Sequence, residues 1–371
     1  MAIGIVAEFN PFHYGHKYLI DEAKKLYPND EIIVVLAGNI LQRGNLSIIE
    51  KYDKTKIALD NNVDLVVELP FPFSSQSADI FAKGSIEILN KLNIDKLVFG
   101  SEEGSIDKFI KAADVQLNNK EYDSIVKKYL KEGYNYPTSL NKALNEITGI
   151  EINKPNDLLA LSYIKEIIKN NYNITPITIK RTNDYHSKDL DEISSASSIR
   201  EALKNNIDIS KYVPKEEIEL IKINYEEKYF NLLKYKIISD DNLKEYNLVD
   251  EGIDIKLKEN INSCNNIDNL IKTVKSKMNT YNKIERMLSF ILFNYKKEDN
   301  NIDLKYIKVL GFNELGKKYL NKIKKDVDLP IITNITKENY NLIKNDINKD
   351  LIYYEITNRN INILKQKPVI K

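Results

Sequence analysis

The sequence predicts an α/β protein in which a parallel sheet with covering helices is followed by a mainly α-helical C-terminal part. In the first two hundred residues, short runs rich in Val and Ile alternate with longer segments of helical periodicity. After about residue 210 the helical periodicity continues while strand-like runs become rare. We therefore expect two domains, one of residues 1–210 and one of residues 211–371.

Five apolar runs predict the strands of the sheet, and the segments between them predict helices. Because strands and helices alternate, the connections should be right-handed crossovers and the strands should be parallel. Ligands of such sheets bind outside the carboxyl ends of the strands. The expected strands are Ile3–Glu8, Glu31–Ala37, Asp64–Glu68, Lys96–Gly100 and Ile174–Lys180, and the expected helices are Gly15–Leu26, Ile48–Asp60, Ser77–Leu92, Ile106–Gln116 and Asn156–Lys169.

The region after residue 210 should be mainly helical and locally basic. A stretch from residue 270 to residue 325 contains 14 Lys and Arg against 5 Asp and Glu, a net charge of +9. Such a charge can bind nucleic-acid phosphates, although charged helix surfaces are more often only solvated. The expected helices are Ile218–Leu233, Ile267–Met278, Lys283–Phe293 and Glu314–Ile323, with few strand-like runs before Pro330–Thr333.

The overall composition narrows the class of protein. The 371 residues include 55 Lys and Arg and 54 Asp and Glu, so a uniformly basic nucleic-acid-binding protein is excluded. The single cysteine, Cys264, cannot form an intramolecular disulfide and fits a reducing compartment. The N-terminus lacks the pattern of an export signal and no apolar run is long enough to span a membrane. We therefore expect a cytoplasmic protein.

The most informative segment lies where the first strand meets the first helix, and it reads Glu-Phe-Asn-Pro-Phe-His-Tyr-Gly-His over residues 8–16. The start of a helix presents unpaired N–H groups and a partial positive charge, and both suit a phosphate. His13 and His16 are about one turn apart and can face the same bound group. Gly15 lets the backbone approach a nucleotide.

Two imidazole donors at one phosphate fit a nucleophilic attack on that phosphorus. Negative charge grows on the phosphate oxygens as the bond to the leaving group breaks, and fixed donors stabilise that charge. Zinc binding is disfavoured because a site needs three or four ligands, and only His186, Cys264 and carboxylates remain. A purely structural role on an amphipathic helix is the other alternative. We expect His13 and His16 to be catalytic, and we predict no metal-binding residue.

The loop and several further motifs resemble one known family. A strand followed by Asn-Pro-Phe-His-x-Gly-His and a helix resembles the HxGH nucleotidyltransferase superfamily, whose members attack the α-phosphate of ATP and release pyrophosphate. Within that superfamily the chain is similar to the bacterial tRNA(Met) cytidine acetate ligase family. The motifs that carry this resemblance are Gln42–Gly44, Asp64–Pro70, Ala78–Ala82, Phe99–Glu102, Lys154–Asn156, Ser194–Arg200, Arg286–Leu288 and Leu310–Glu314.

The resemblance implies a Rossmann-like nucleotidyltransferase domain and a two-step ligase reaction. Acetate would attack the α-phosphate of ATP to give acetyl-adenylate and pyrophosphate. The exocyclic amine of the wobble cytidine of elongator tRNA(Met) would then take the acetyl group, leaving AMP and N4-acetylcytidine. ATP is therefore the expected co-substrate, accompanied by Mg²⁺, and acetate and elongator tRNA(Met) are the expected partners. Neither a membrane nor DNA is expected.

The resemblance also implies which residues bind ATP. Read without it, Gly100 would be an ordinary strand-to-loop glycine, Asn156 a helix cap and Arg181 a surface charge. The implied ATP-binding residues are Ala7, Glu8, Phe9, Asn10, Pro11, Phe12, His13, Tyr14, Gly15, His16, Lys17, Tyr18, Leu19, Ile20, Gly100, Asn156 and Arg181.

Two further groups of residues are assigned to phosphates. Ser197, Ser198 and Arg200 begin a predicted helix and suit the β- and γ-phosphates, with plain serine capping as the alternative. In the basic stretch, lysines alternate with tyrosines that could stack on unpaired bases, which suits an RNA reader. There we expect tRNA binding by Lys317, Lys318, Lys324 and Lys325.

Two other functions remain open at this stage. One is a different enzyme of the same superfamily, either a small-cofactor adenylyltransferase or an acetate-activating ligase acting on a carrier-protein thiol. The other is a nucleotide-sensing RNA-binding protein without catalysis, which the intact histidine pair argues against. We assign no catalytic role to His186.

Overall fold

Five neighbouring parallel strands form most of the sheet, as the apolar runs predict. A computed structural model describes residues 1–181, 195–250, 252–277, 279–300 and 302–371. Numbered along the chain, the strands lie in the order β5-β4-β1-β2-β3. After β1 the chain adds β2 and β3 on one side of β1, and then β4 and β5 on the other side. The order therefore reverses between β1 and β4, which creates a topological switch point there. The strands are β1 (Ala2–Ala7), β2 (Glu31–Ala37), β3 (Leu65–Leu69), β4 (Lys96–Ser101) and β5 (Thr175–Lys180).

The helices of the first half connect these strands and cover the sheet. All five expected helices are confirmed, and α6, α7 and the four-residue α3 are additional. The sequence pattern missed α6 because it buries only Tyr122 and Val126, which is too narrow an apolar face to stand out. The helices are α1 (Tyr14–Leu26), α2 (Lys51–Asp60), α3 (Phe71–Ser74), α4 (Ala78–Lys91), α5 (Ile106–Asn118), α6 (Tyr122–Lys131), α7 (Tyr136–Thr148), α8 (Pro155–Lys169) and α9 (Ala196–Lys204).

The chain after residue 210 is mainly helical, with three further strands. The expected helix over Ile218–Leu233 is wrong in its bounds, because α10 ends at Ile218 and the connection to α11 is tied to the first half by the Lys222 N–H, which donates to the Ile48 carbonyl at 2.8 Å. The elements are α10 (Lys215–Ile218), α11 (Glu226–Ser239), α12 (Ile253–Asn260), α13 (Ile267–Val274), α14 (Tyr281–Leu292), β6 (Ile307–Phe312), α15 (Glu314–Ile323), β7 (Ile331–Ile332), α16 (Lys337–Ile356) and β8 (Val369–Ile370).

The C-terminal strands extend the same sheet. Strand β6 pairs antiparallel with β3, and β7 and β8 each pair with β6. The sheet therefore takes strands from both sides of residue 210, while the division into two domains stays a prediction. The sequence pattern missed β6 because Lys308 interrupts its apolar run, and this lysine is only 4% exposed. None of the described helices combines the length and the apolarity needed to cross a membrane.

A buried ionic cluster explains how a lysine fits inside β6. Lys51 on α2 lies 2.6 Å from Glu68 on β3 and 2.5 Å from Asp350 on α16, and Lys308 lies 3.0 Å from Glu68. All four side chains are less than a tenth exposed. Burial alone would raise the pKa of Glu68, but Lys308 and Lys51 lower it to about 2. The cluster joins two elements of the first half to two elements of the second.

Removing one member of this cluster should be costly. We expect Lys51→Met to lower the free energy of unfolding by about 3–5 kcal/mol, because it leaves buried carboxylates uncompensated. The control is Lys371→Met, which breaks the exposed pair with Asp60 and should cost less than about 1 kcal/mol. Urea denaturation measures both, and equal effects of the two substitutions would contradict the role of the cluster.

Candidate active site

The loop between β1 and α1 is fixed by hydrogen bonds from other parts of the chain. The ammonium group of Lys54 donates to the carbonyls of Glu8, Ala37 and Gly38 at 2.8–2.9 Å, so it joins the carboxyl ends of β1 and β2. The side-chain oxygen of Asn10 accepts from the Ile48 N–H at 2.9 Å. The backbone of the loop is therefore held open at the ligand-binding edge of the sheet.

The two histidines form a capping box at the start of α1. His13 is the N-cap residue, and its Nδ1 accepts from the Gly15 N–H at 3.0 Å. The Nδ1 of His16 accepts from the His13 N–H at 3.3 Å, which completes a capping box built from imidazoles. Because both Nδ1 atoms accept, the proton of each neutral ring is assigned to Nε2. The rings stack with centroids 3.8 Å apart, so the two Nε2–H donors lie side by side.

Both histidines are neutral at physiological pH in the free protein. Burial, followed by the charges of Arg181 and Arg200, lowers the pKa of His13 to about 3. Burial, followed by His13 and Arg181, lowers the pKa of His16 well below 6.5. The site therefore pairs neutral donors with nearby guanidinium groups, an arrangement suited to a group that brings its own negative charge.

The second half of the chain supports the same loop from behind. The fully buried Glu217, on α10, accepts from the Phe12 N–H at 2.7 Å. Burial raises the pKa of Glu217 to about 9, so it is protonated at neutral pH and accepts without adding a negative charge beside the histidine loop. From the first half, Arg200 on α9 also holds the loop, because its guanidinium group donates to the carbonyl of Asn10 at 2.6 Å.

A cavity of about 430 Å³ opens beside this loop, at the switch point between β1 and β4. Of the residues expected to bind ATP, those that line it are Ala7, Glu8, Phe9, Asn10, His13, Gly15, His16, Tyr18, Leu19, Ile20, Gly100, Asn156 and Arg181. The remaining ones, Pro11, Phe12, Tyr14 and Lys17, lie outside the lining. Phe12 is fully buried against Phe9 and His16, so its role here is packing.

The three isolated ATP-binding candidates converge on one side of the cavity. Gly100 lies near the carboxyl end of β4, and the backbone N–H of Arg181, just after β5, donates to the Ser101 carbonyl at 2.9 Å. Asn156 is not a helix cap, because α8 begins at Pro155 with Lys154 at its N-cap. Its amide instead donates to Glu102 at 2.7 Å, which holds the side chain at the rim of the cavity.

In the serine turn at residues 195–198, some side chains cap α9 and others line the cavity. Ser195 is the N-cap of α9 and accepts from the Ser198 N–H, while the Ser198 hydroxyl donates back to the Ser195 carbonyl. Ser198 therefore belongs to the helix cap and is absent from the cavity lining. Ser197 and Arg200 line the cavity, with the guanidinium group donating to the Ser197 hydroxyl at 3.3 Å.

One end of the cavity is lined by residues to which the sequence assigned no role. The turn after β2 contributes Gln42, Arg43 and Asn45, and α14 contributes Asn282 and Arg286. The rule that ligands bind beyond the carboxyl ends of parallel strands could have found the turn after β2. The α14 residues carried no such signal, because their position depends on long-range packing.

The four lysines expected to bind tRNA lie at the opposite edge of the sheet. Asn313 caps α15 and donates to Asp64, which immediately precedes β3, and the Tyr319 hydroxyl donates to the Leu92 carbonyl ahead of β4. Helix α15 thus follows the amino ends of the strands, about 15–20 Å from the carboxyl ends where the histidines lie. The structure does not bring Lys317, Lys318, Lys324 and Lys325, all exposed, to the cavity.

No three or more His, Cys, Asp or Glu side chains within the described ranges are grouped to hold a metal ion. The chemistry of the cavity fits a Mg²⁺ that arrives on phosphate oxygens better than one held by a protein cage, since Glu8 is the acidic residue in the lining and already accepts from the Gln42 N–H at 2.8 Å. His186 lies outside the described residues.

The histidine assignment predicts an unusual titration. In the free protein, the ring signals of His13 should not move between about pH 8 and pH 5, and those of His16 should show no transition near the ordinary histidine pKa, because burial lowers both pKa values. Proton NMR of the wild type measures this, with His13→Gln and His16→Gln spectra assigning the signals. A transition near the ordinary histidine pKa at either position would contradict the neutral pair.

Comparison with known proteins agrees with this geometry. The family model described as HIGH Nucleotidyl Transferase matches residues 1–368. A protein of Clostridium acetobutylicum named tRNA(Met) cytidine acetate ligase is 37% identical over 97% of this chain and 96% of its own length, and one of Mycoplasma mobile with the same name is 40% identical over 80% and 100%. The crystal structure of Thermotoga maritima TmcAL bound with alpha-thio ATP is 26% identical, covers 100% of both chains and has a TM-score of 0.88. A nucleotidyl-transferase loop, a cavity at the switch point and relatives aligned along nearly the whole chain lead to one conclusion: the chain belongs to the tRNA(Met) cytidine acetate ligase family of HIGH nucleotidyl transferases.

Proposed function

We propose that this chain is an ATP-dependent ligase that activates acetate as acetyl-adenylate and transfers the acetyl group to the N4 amine of the wobble cytidine of elongator tRNA(Met). The observation that carries the proposal is the stacked pair of neutral histidines at the mouth of the cavity. Both rings have Nδ1 occupied by a backbone N–H, which leaves two adjacent Nε2–H donors. The names of the family members supply acetate and the tRNA(Met) cytidine.

The first step forms a bond between acetate and the α-phosphorus. A carboxylate oxygen of acetate attacks that phosphorus, and the bond to the bridging oxygen of pyrophosphate breaks. His13 and His16 donate to the α-phosphate oxygens, whose negative charge grows in the transition state. Arg181 and Arg200, whose charges already act on His13, stabilise the triphosphate and the departing pyrophosphate.

The second step moves the acetyl group to the base. The N4 amine of the cytidine attacks the acyl carbon of acetyl-adenylate, the bond from that carbon to the phosphate oxygen breaks, and AMP leaves. The amine loses one proton in the process. No nucleophile from the protein is required in either step, so the protein acts by positioning and by charge stabilisation.

The residues that we propose for ATP are those that line the cavity around the loop, together with Gly100, Asn156, Arg181, Ser197 and Arg200. Mg²⁺ would accompany the β- and γ-phosphates, where it neutralises charge on the leaving group. We propose that the enzyme works in the cytoplasm, where its tRNA substrate and ATP are both present.

The first half-reaction can be tested without RNA. We expect exchange of radiolabelled pyrophosphate into ATP to require acetate. His13→Asn and His16→Gln should each lower the exchange rate by on the order of a hundredfold or more. These substitutions retain groups that can cap α1, because Asn is a good N-cap and Gln can complete a capping box. The loss would therefore report on the donors to the phosphate.

Lys25→Gln, at the exposed end of the same helix, is the matched control and should exchange at the wild-type rate. Exchange supported by phosphopantetheine or nicotinamide mononucleotide, and not by acetate, would overturn the proposed function. Near-normal exchange in both histidine variants would remove the histidines from the chemistry.

We retain the proposal that Lys317, Lys318, Lys324 and Lys325 contact tRNA. Since they lie at the edge of the sheet opposite the cavity, they would contact backbone phosphates distant from the acetylated base. Replacing all four by Gln should weaken tRNA binding and flatten its salt dependence by up to about one unit of slope per phosphate contact. The control replaces the exposed Lys108, Lys120, Lys127 and Lys131. An unchanged slope in the first variant would exclude this surface from the interface.

A further inference from the structure

The cavity extends past the histidine loop into an end that the ATP assignment leaves unused. We call this end the acceptor pocket, and its lining residues are Gln42, Arg43, Asn45, Asn282 and Arg286. These five side chains are two guanidinium groups and three amides, so the pocket is rich in donors, and the carboxylate of Glu8 beside them already accepts from the Gln42 N–H. Apolar side chains, by contrast, dominate the opposite end, where Phe99, Leu159 and Tyr163 lie.

Close backbone packing fixes the two walls of the acceptor pocket against each other. Gly44 has a φ of +89°, and a Cβ at this position would lie 2.7 Å from the Cα of Arg286 and 2.9 Å from the carbonyl oxygen of Glu285. A larger residue would therefore push α14 away from the turn after β2. The turn also hydrogen bonds to the loop, because the Gln42 N–H donates to Glu8 at 2.8 Å. The acceptor pocket thus has a defined position relative to the histidines.

Arg286 has hydrogen-bonding capacity that the protein does not use. Its Nε is buried, and no acceptor within the described part of the chain bonds to it. A buried guanidinium donor without a partner is costly, and such groups commonly await a ligand. The side chain lies on α14, so the second half of the chain places this donor in a cavity whose nucleotide end belongs to the first half.

We infer that the acceptor pocket binds the cytosine base of the RNA substrate, with the guanidinium fork of Arg286 donating to its O2 and N3 atoms. This inference rests on the proposed function and names the residue that recognises the acceptor. Cytosine presents O2 and N3 as adjacent acceptors, which match a planar fork. Uracil carries a proton on N3 and would oppose the same fork. The N4 amine lies outside this contact, so it stays available to attack the acyl carbon.

The amides complete the recognition. Each of Gln42, Asn45 and Asn282 has a carbonyl oxygen that can accept from the N4 amine and orient its lone pair toward the acyl group. A phosphate would use the charge of Arg286 but would leave these acceptors without a role. The combination of an unpartnered Nε donor on Arg286 with three amides therefore favours a base edge over a phosphate.

The test compares two RNAs that cannot react. Anticodon stem-loops carry either pyrimidin-2-one or uracil at the target position: pyrimidin-2-one keeps the O2 and N3 acceptors of cytosine and lacks the amine, while uracil has the proton on N3. We expect the wild-type enzyme to bind the pyrimidin-2-one RNA roughly tenfold or more tightly, as for other bidentate base contacts. Arg286→Lys should remove this preference, because lysine keeps the charge without the fork.

Lys283→Met, on the same helix and outside the cavity lining, is the matched control and should keep the preference. Equal binding of both RNAs by the wild type would overturn the inference, and this measurement needs no variant to fold. A preference that persists in a folded Arg286→Lys protein would also overturn it. If the wild type bound both RNAs equally and Arg286→Lys weakened the binding of both to the same extent, Arg286 would instead contact a phosphate.

Binding and chemistry are separate readouts here. Acetate-dependent pyrophosphate exchange tests the proposed function without RNA, whereas the RNA comparison tests the base subsite without turnover. If Arg286→Lys raised the KM for acetate in the exchange assay and left the RNA preference intact, the arginine would belong to acetate and the inference would be wrong. If exchange did not require acetate but the base preference held, the proposed function alone would fail.

Discussion

The position of the histidine loop between β1 and α1 depends on a buried lysine, Lys54, which donates to backbone carbonyls at the carboxyl ends of two strands. The three N–H donors of Lys54 are matched by three backbone carbonyls, from Glu8, Ala37 and Gly38. Strand ends leave such carbonyls without partners in the ladder, and burying them unpaired would be costly. Burial lowers the pKa of Lys54 to about 7, which shows how strongly the surroundings oppose its charge. The three carbonyls, which we call the carbonyl cage, offset that cost and fix the position at which β1 ends and the loop begins.

Because the carbonyl cage and other internal hydrogen bonds hold the loop, the side-chain donors that face the cavity are left for a ligand. The side-chain oxygen of Asn10, the N–H of Phe12 and the Nδ1 atoms of the two histidines are all engaged within the protein. The donors that remain for a ligand include the imidazole Nε2–H groups, the guanidinium groups and the side-chain amide of Asn10. A triphosphate entering this environment would bring negative charge close to the arginines and the histidines, and it would oppose the lowering of the histidine pKa values. The histidine pKa values should therefore be higher in the bound protein than in the free protein.

The two halves of the chain build one site. Glu217 and Arg200 hold the loop from behind, and Arg286 and Asn282 close the cavity in front of it. The ionic cluster of Lys51, Glu68, Lys308 and Asp350 fastens the C-terminal strand and helix to the sheet on the other side. The nucleotide end is supplied by the first half, and two of the five acceptor-pocket residues, Asn282 and Arg286, come from the second. A ligase of two half-reactions can therefore activate one substrate and admit another in adjacent parts of one cavity.

The sequence by itself determined the five parallel strands, five of the helices between them and the histidine loop. These features follow from local patterns: apolar runs of strand length, helical periodicity, and a glycine and two histidines at a strand-to-helix junction. Only the tertiary structure decided that β6 joins the sheet, since its buried Lys308 is tolerable only beside Glu68. The same holds for Asn156, which borders the cavity instead of capping α8, and for Arg286, which reaches the acceptor pocket because α14 packs on Gly44. Such placements depend on contacts between residues far apart in the chain, and a periodic pattern in one segment carries no information about the segment against which it packs.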